Sequence, residues 1–346
     1  MNGLLRRKDV EAKPVSLRVT ELDEIPDGEF EDLYSATRVK PHEHLSDWAD
    51  ERKLMTYELS SLQRGLRSGS TVLAVRLSGN LVALLAVSKL GFDSDFFQFP
   101  MGRISPLMVS DSVPMGQRNE VTKGILRKAL SKVKREGIRQ VTVRVPPREY
   151  DIIQTCTALK FDFIDVLVTY AIDMTRVDKE RISPPKDFVI RTKRSEDIQP
   201  LMRVAGDSFV KDRFHSDKRF DQKIADRFHS KWIENSLTGV AADEVIVAEI
   251  DGRPIGFTTL KINRELSDAI GIRSCSMILS AVDSSVRGRG IYRHMIAGGL
   301  RWFMGKSDVT DLGTQIDNLA VQRAWCGLGF KPASHMVTMH WWDGQS

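Results

Sequence analysis

Arg287-Gly288-Arg289-Gly290-Ile291-Tyr292 is the stretch that decides how this chain folds. An apolar run precedes it (Met277, Ile278, Leu279, Val282), and it opens a run with helical spacing (Ile291, Met295, Ile296, Leu300, Phe303). Strand, glycine loop and helix N-terminus in that order make an anion site. Unpaired N–H groups and the positive dipole end point at one spot, and glycine admits a phosphate closely. Arg287 and Arg289 add charge. Glycines beside arginines also form ordinary surface turns, so a second signal is needed.

That signal lies about 30 residues on. Asn318 begins a short helical run, followed by Val321, Trp325, Gly329 and Phe330. The pattern resembles the closing motif of the GNAT acetyltransferase superfamily. Arg287 and Gly290 resemble that superfamily's acetyl-CoA pyrophosphate loop, with Tyr292 where glycine or alanine is usual. The resemblance implies acetyl-CoA as co-substrate, held by Val282, Arg287, Gly288, Arg289, Gly290, Ile291, Tyr292 and Asn318. It also implies an α/β (α+β) fold, a mixed, mostly antiparallel sheet flanked by helices.

The 346 residues suffice for two domains of usual size. A hydrophobic share of 41% and a charged share of 28% are ordinary for a soluble globular chain. No window reaches the roughly 18 apolar residues of a membrane span. The start, Met1 to Lys8, is polar and basic with no apolar signal region. A net charge of +5 suits anionic ligands but is no nucleic-acid footprint. The three cysteines, Cys156, Cys275 and Cys326, have no zinc or disulfide spacing. They point to reduced thiols in the cytoplasm and to no metal site.

The chain repeats itself at about 170 residues. Thr71–Leu77, a Ser78-Gly79-Asn80 turn and Leu81–Ser88 read as strand, turn, strand, and so do Val245–Ile250, Asp251–Pro254 and Ile255–Lys261. Each pair is followed by an amphipathic helix closed by Gly137 or Gly305, a strand, a short helix and a last strand. Ser183-Pro184-Pro185 marks the join. The expectation is two tandem GNAT-like domains: 1–175 degenerate, 176–186 a linker, and 187–346 binding acetyl-CoA. Counting back 168 positions from the glycine loop lands on Asn119-Glu120-Val121-Thr122, which has no glycine pair. The first domain is therefore expected to bind no CoA.

Leu90–Pro100 (LGFDSDFFQFP), Ser208-Phe209, Arg213-Phe214 and Trp232–Asn235 resemble segments of dTDP-fucosamine acetyltransferases, which acetylate a nucleotide-linked amino sugar for surface polysaccharide. That resemblance implies a nucleotide-sugar acceptor and nominates Arg213, His215 and Trp232 for it. For the aromatics, helix packing is the competing reading.

Trp325 stands where the superfamily usually has the tyrosine that protonates the leaving thiolate. Indole offers no transferable proton, so no catalytic acid is assigned. Tyr292 belongs to the pyrophosphate end on this reading. Glu265, Asp268, Asp283 and His215 are base candidates by type only. The leading function is N-acetyl transfer to a primary amine. A non-catalytic acyl-CoA-binding protein and an aminoacyl-tRNA-dependent transferase stay open.

Overall fold

The computed structural model describes residues 17–344; Met1 to Lys8 lie outside them. The first half runs β1 (Val19–Leu22), α1 (Asp27–Ser35), α2 (Glu51–Arg67), β2 (Thr71–Leu77), β3 (Asn80–Lys89), α3 (Gly91–Phe97), β4 (Met101–Val109), α4 (Met115–Arg135), β5 (Gln140–Val145), α5 (Tyr150–Ala158) and β6 (Asp162–Asp173). The second runs β7 (Val189–Thr192), α6 (Ile198–Gly206), α7 (Arg213–Ser216), α8 (Gln222–Leu237), β8 (Glu244–Ile250), β9 (Arg253–Ile262), α9 (Arg264–Ile270), β10 (Ser274–Val282), α10 (Ile291–Phe303), β11 (Val309–Gln315), α11 (Leu319–Leu328) and β12 (Lys331–Trp342). The repeat read from the sequence is thus present element by element, with α7 standing where the first half has a short 3-10 turn, Glu43–Leu45.

All strands join one sheet, in the order β1-β2-β3-β4-β5-β12-β6-β11-β10-β9-β8-β7. The sheet is mixed and mostly antiparallel, with β4/β5 and β10/β11 running parallel. The two last strands are exchanged. β12 pairs with β5 (Val337 opposite Val145), while β6 pairs with β11 (Val309 opposite Asp173). Alternation explains how both fit. Val337, Met339 and Trp341 of β12 enter the first half's core beside Val141 and Val143. Val168, Tyr170 and Ile172 of β6 enter the second half's core beneath α10 and α11. A boundary at 176–186 therefore divides the sequence but not the sheet.

Helices cover both faces. α4 and α5 lie on one face of the first half, α1 and α2 on the other; in the second half α10 and α11 lie opposite α6 and α8. α10 sits unusually close to the sheet. A Cβ at Gly298 would come 2.6 Å from Ile190 Cγ2, and one at Gly299 would come 2.7 Å from Met277 Cε.

A buried polar knot locks the halves. Asp217 accepts from His340 Nδ1 (2.9 Å) and Trp342 Nε1 (2.9 Å) on the exchanged β12, and from Arg219 Nε (2.8 Å). Burial alone would raise its pKa, but these donors prevail and hold Asp217 below the usual carboxylate range. Around it, Phe97 of α3 packs on Phe214 (4.7 Å between ring centres) and Phe228 (5.7 Å). The aromatic motif at 90–100 is therefore inter-half packing. Among the described residues no helix is long and apolar enough to cross a membrane.

Candidate active site

Parallel β10 and β11 are paired only from Ser274/Val309 to Met277/Leu312, and then separate. The register of β10 against β9 shifts between Met277 and Ser280, so β10 carries one extra residue there. Beyond Met277 and Leu312 the facing edges lose their ladder, which opens a V in the sheet. Leu279 N–H, inside the bulge, donates to Thr259 Oγ1 (3.0 Å).

Val282 ends β10 at the mouth of this V. Asp283 then accepts from Ser285 N–H (2.9 Å) and starts the loop. Gly288 and Gly290 have φ of +82° and +74°, left-handed values that favour glycine, and a Cβ on either would meet nothing within 4 Å. The amides of Gly288, Arg289 and Gly290 have no acceptor among the described residues. Ile291, Tyr292 and Arg293 supply the first turn of α10, whose amides lack intrahelical acceptors. Arg287 to Gly290 are all exposed. Asn318 closes the opposite strand, its amide donating to Thr314 Oγ1 (3.0 Å). These six consecutive amides, the open space at the glycines and the split strands fit the pyrophosphate and thioester arm of acetyl-CoA.

The same region of the first half is built differently. β4 and β5 also separate, after Ile104/Val143, and β4 also carries an extra residue, but there it is made by Ser105-Pro106. Proline removes an N–H where β10 has Leu279. Asn119–Thr122, 168 positions before the glycine loop, lies inside α4 and is not its counterpart; that counterpart is Ser110–Pro114. It is three residues shorter than the glycine loop, but the offset comes from α4, which has 21 residues against 13 in α10, so that the helix starts Met115 and Ile291 stand 176 positions apart rather than 168. Its amides are consumed: Asp111 N–H by Ala36 O, Ser112 N–H by Ser110 Oγ, Val113 N–H by Ser110 O. Pro114 has none.

Helix packing brings Tyr292 to Trp325. Trp325 is 2% exposed, edge-on to Tyr170 of the exchanged β6 (5.4 Å). Its Nε1–H donates to Tyr292 Oη at 3.1 Å. Tyr292 thus reaches from the pyrophosphate end to the position where a tyrosine was expected. Burial raises its pKa above the ordinary tyrosine value, against the lowering influence of the Trp325 and Ser280 hydrogen bonds. Cys326 is exposed, as the turn of the helix requires.

The base candidates stand elsewhere. Glu265 pairs with Arg64 (2.6 Å) on the far side of α9, Asp268 is exposed, and Asp283 caps its own turn. His215 is buried between Asp212 and Asp226, its Nε2 3.0 Å from Asp226 Oδ1. His229 stacks on Phe209 (4.1 Å), and burial pushes it down to about 4. Asp212, His215 and His229 bring ligand-type atoms within 4.8 Å of one another. Asp212 is already engaged, capping α7 through Phe214 N–H (2.7 Å) and bonding His215 Nδ1. Trp232 packs on Phe228 (5.9 Å).

Arg213 lies in different company. It lines a cavity of about 700 Å³ between the halves, with Arg103, Arg144, His42 and His44. His44 Nε2 is 3.6 Å from Asp311 Oδ2, one residue before β11 leaves β10. The sequence reading passed over His44, Arg103 and Arg144. A signal existed for one of them: Val141, Val143 and Val145 take the core face of β5, which leaves Gln140, Thr142 and Arg144 together on the other.

Residues 208–330 match the family model described as acetyltransferase (GNAT) family. Over 184 residues, 53% of this chain, the sequence is 26% identical to a spore coat polysaccharide biosynthesis protein, SpsD, of Bacillus subtilis (strain 168). The match spans 59% of that relative's length. Among solved structures, a GCN5-related N-acetyltransferase from Sphaerobacter thermophilus superposes with a TM-score of 0.61 at 11% identity, covering 94% of this chain and 95% of that one. A tandem GNAT protein from the clavulanic acid biosynthesis pathway gives 0.54 at 14% identity, covering 95% and 99%. At such identities the likeness shows the fold.

Proposed function

We propose, from the match of residues 208–330 to the acetyltransferase (GNAT) family model, that the protein moves an acetyl group from acetyl-CoA to the primary amine of a nucleotide-linked amino sugar for surface polysaccharide. The observation that carries the donor half is the contrast between the two loops. Gly288–Gly290 leave their amides unbonded, while Ser110–Val113 use theirs internally. One CoA per chain follows, at Arg287–Tyr292 with Val282 and Asn318 beside it. The likeness to a polysaccharide biosynthesis protein supports the acceptor class. No nucleic acid or metal enters this reading, and the cytoplasm is its setting.

The roles divide as follows. The V between β10 and β11 orients the thioester against the amine, the largest service a site with few charged groups can give. His44, beside Asp311, takes a proton from the amine as its nitrogen bonds to the acetyl carbon. As the carbon–sulfur bond breaks, Tyr292 gives its phenolic proton to the sulfur. Trp325 donates into the same oxygen and steadies the phenolate left behind. The tryptophan thus serves a tyrosine supplied from α10. A binding protein without catalysis is the second reading, favoured by Trp325 itself.

Calorimetry with acetyl-CoA and thiol-release assays with nucleotide-linked amino sugars test this. Gly290→Glu, which places a carboxylate at the phosphate site, should abolish CoA binding. Gly290→Asn tolerates the left-handed backbone and should retain much of it. Two CoA per chain, or full affinity in Gly290→Glu, would place the donor elsewhere. Tight CoA binding without turnover of any amine favours the binding protein.

A further inference from the structure

The cavity between the halves is lined by arginines, two of which have no ion pair among the described residues. Thr142 is their hub. Parallel register sets Arg103 beside Thr142, and Arg144 is the next residue on the same face of β5. Arg213 arrives from α7, its Nη1 donating to Thr142 Oγ1 at 3.1 Å. Three arginines from three elements and both halves therefore gather about Thr142, one of them bonded to its hydroxyl. Arg213 is paired with Asp93. Arg103 and Arg144 have no hydrogen bond or ion pair among the described residues. At the rim, Arg148 and Lys40 are paired with Glu43 and Glu51.

Their surroundings make this costly. Arg103 and Arg144 are exposed, and they open onto the cavity rather than onto an outer face. Burial lowers both, and the neighbouring guanidiniums lower them further, Arg144 to about 10. Asp165, across β12 on the floor of the same face, is the one acidic influence that raises Arg144. Asp93, already paired with Arg213, likewise raises Arg103; three guanidiniums thus share two carboxylates, and an anionic ligand would supply the missing counter-charge. Arginine is the side chain suited to that ligand, since its planar fork takes two phosphate oxygens at once.

We propose that Arg103, Arg144 and Arg213 form a diphosphate cradle, in the place where the first half has no CoA loop, and that it holds the nucleotide end of the acceptor. The acceptor assignment rests on the acetyl-transfer reading; the cradle rests on the arginines alone. A cavity of about 700 Å³ is within the roughly 300–1,000 Å³ of small-molecule sites. Two unpartnered forks match two phosphates, so a diphosphate should bind at least about tenfold more tightly than a single phosphate.

The test titrates inorganic phosphate, pyrophosphate, UDP and acetyl-CoA into the full-length chain and into Arg103→Gln, Arg144→Gln and Arg144→Lys. Pyrophosphate and UDP should bind the wild type. Each glutamine variant should weaken them about tenfold or more, with acetyl-CoA affinity unchanged. Arg144→Lys, which keeps charge but loses the fork, should fall between. No binding of pyrophosphate or UDP to the wild type, phosphate binding as tightly as pyrophosphate, or variants binding diphosphate like wild type would each overturn the cradle. So would variants that melt like wild type but lose acetyl-CoA, since the arginines would then serve the donor. If a glutamine variant unfolds, Arg144→Lys alone decides: undiminished diphosphate affinity refutes the bidentate site. A wild type that binds pyrophosphate but no acetyl-CoA leaves the cradle standing and removes the acetyl-transfer reading.

Discussion

Replacing Tyr292 by phenylalanine removes one oxygen and separates two roles. Structurally, that oxygen is the acceptor for Trp325 Nε1–H at 3.1 Å, and Trp325 is 2% exposed. The indole N–H would be left buried without a partner, a loss of about 1–3 kcal/mol in unfolding free energy. Chemically, the leaving thiolate has the acidity of a free thiol, roughly 8.5, so water can replace the phenol in part. The expected loss in kcat is therefore near the low end of general acid catalysis, about 100-fold, or about 2.7 kcal/mol of barrier. KM for acetyl-CoA should stay close to wild type, because the loop amides are untouched. Because burial raises Tyr292 above the ordinary tyrosine value, it stays protonated through neutral pH. The wild-type rate should show no falling limb from this group below pH about 10. Steady-state release of CoA thiol measures kcat, and urea unfolding measures the stability term. Trp325→Phe keeps the phenol and loses only its donor, so it should retain more activity than Tyr292→Phe. A Tyr292→Phe enzyme with wild-type kcat would refute the assignment, whatever its stability.

Three further predictions concern the frame. Gly299→Ala should destabilise by about 1–3 kcal/mol through overpacking, since its Cβ would sit 2.7 Å from Met277 Cε; an unchanged melting temperature would show that α10 can shift freely. Asp217→Ala leaves Arg219, His340 and Trp342 without their shared acceptor and should cost about 3–5 kcal/mol. Because Asp217 is held low in the folded state, its contribution is present above the unfolded carboxylate value and lost only as pH falls through the folded one; a loss that appears only in alkali would contradict this. His229, held at about 4, binds its proton more readily when unfolded. Stability should therefore fall as pH drops from about 6.5 towards 4, by up to about 3 kcal/mol. His215 is raised despite its burial, by Asp212 and Asp226, and offsets part of this. His229→Phe should flatten the slope, and an unaltered pH profile in urea unfolding would sink the attribution.

What could be read from the sequence was what is local. Gly288 and Gly290 fix a turn by their own backbone freedom, and Ile291 to Phe303 declare a helix by their spacing. Gln140–Val145 and Ser274–Val282 declare strands by alternation, and the observed bounds agree. The exchange of β6 and β12 was hidden because both strands alternate in the same way and each suits either sheet. Fixed-period counting missed the Ser110–Pro114 loop because α4, with 21 residues, is longer than α10, with 13, and shifts everything before it. The meeting of Tyr292 with Trp325 depends on how α10 lies against α11, which no spacing within either helix reports. Arg103 and Arg144 read as ordinary exposed strand positions until Arg213, far along the chain, is placed beside Thr142.

The strand exchange has a consequence for how this molecule came to be and how it comes apart. Read outward from the β6/β12 seam, the two series β12-β5-β4-β3-β2-β1 and β6-β11-β10-β9-β8-β7 are equivalent. That is the arrangement of a two-fold homodimer whose subunits trade their C-terminal strands, with residues 176–186 fusing the copies. Fusion fixes the stoichiometry at one of each, so the copies no longer have to remain identical. One can keep a loop of free amides while the other fills its own and lines its split strands with arginine. Neither half can melt without stripping a strand from the other, so heat should take the chain apart in a single step. A protease that cuts only the segment 176–186 should leave two fragments that still travel as one particle.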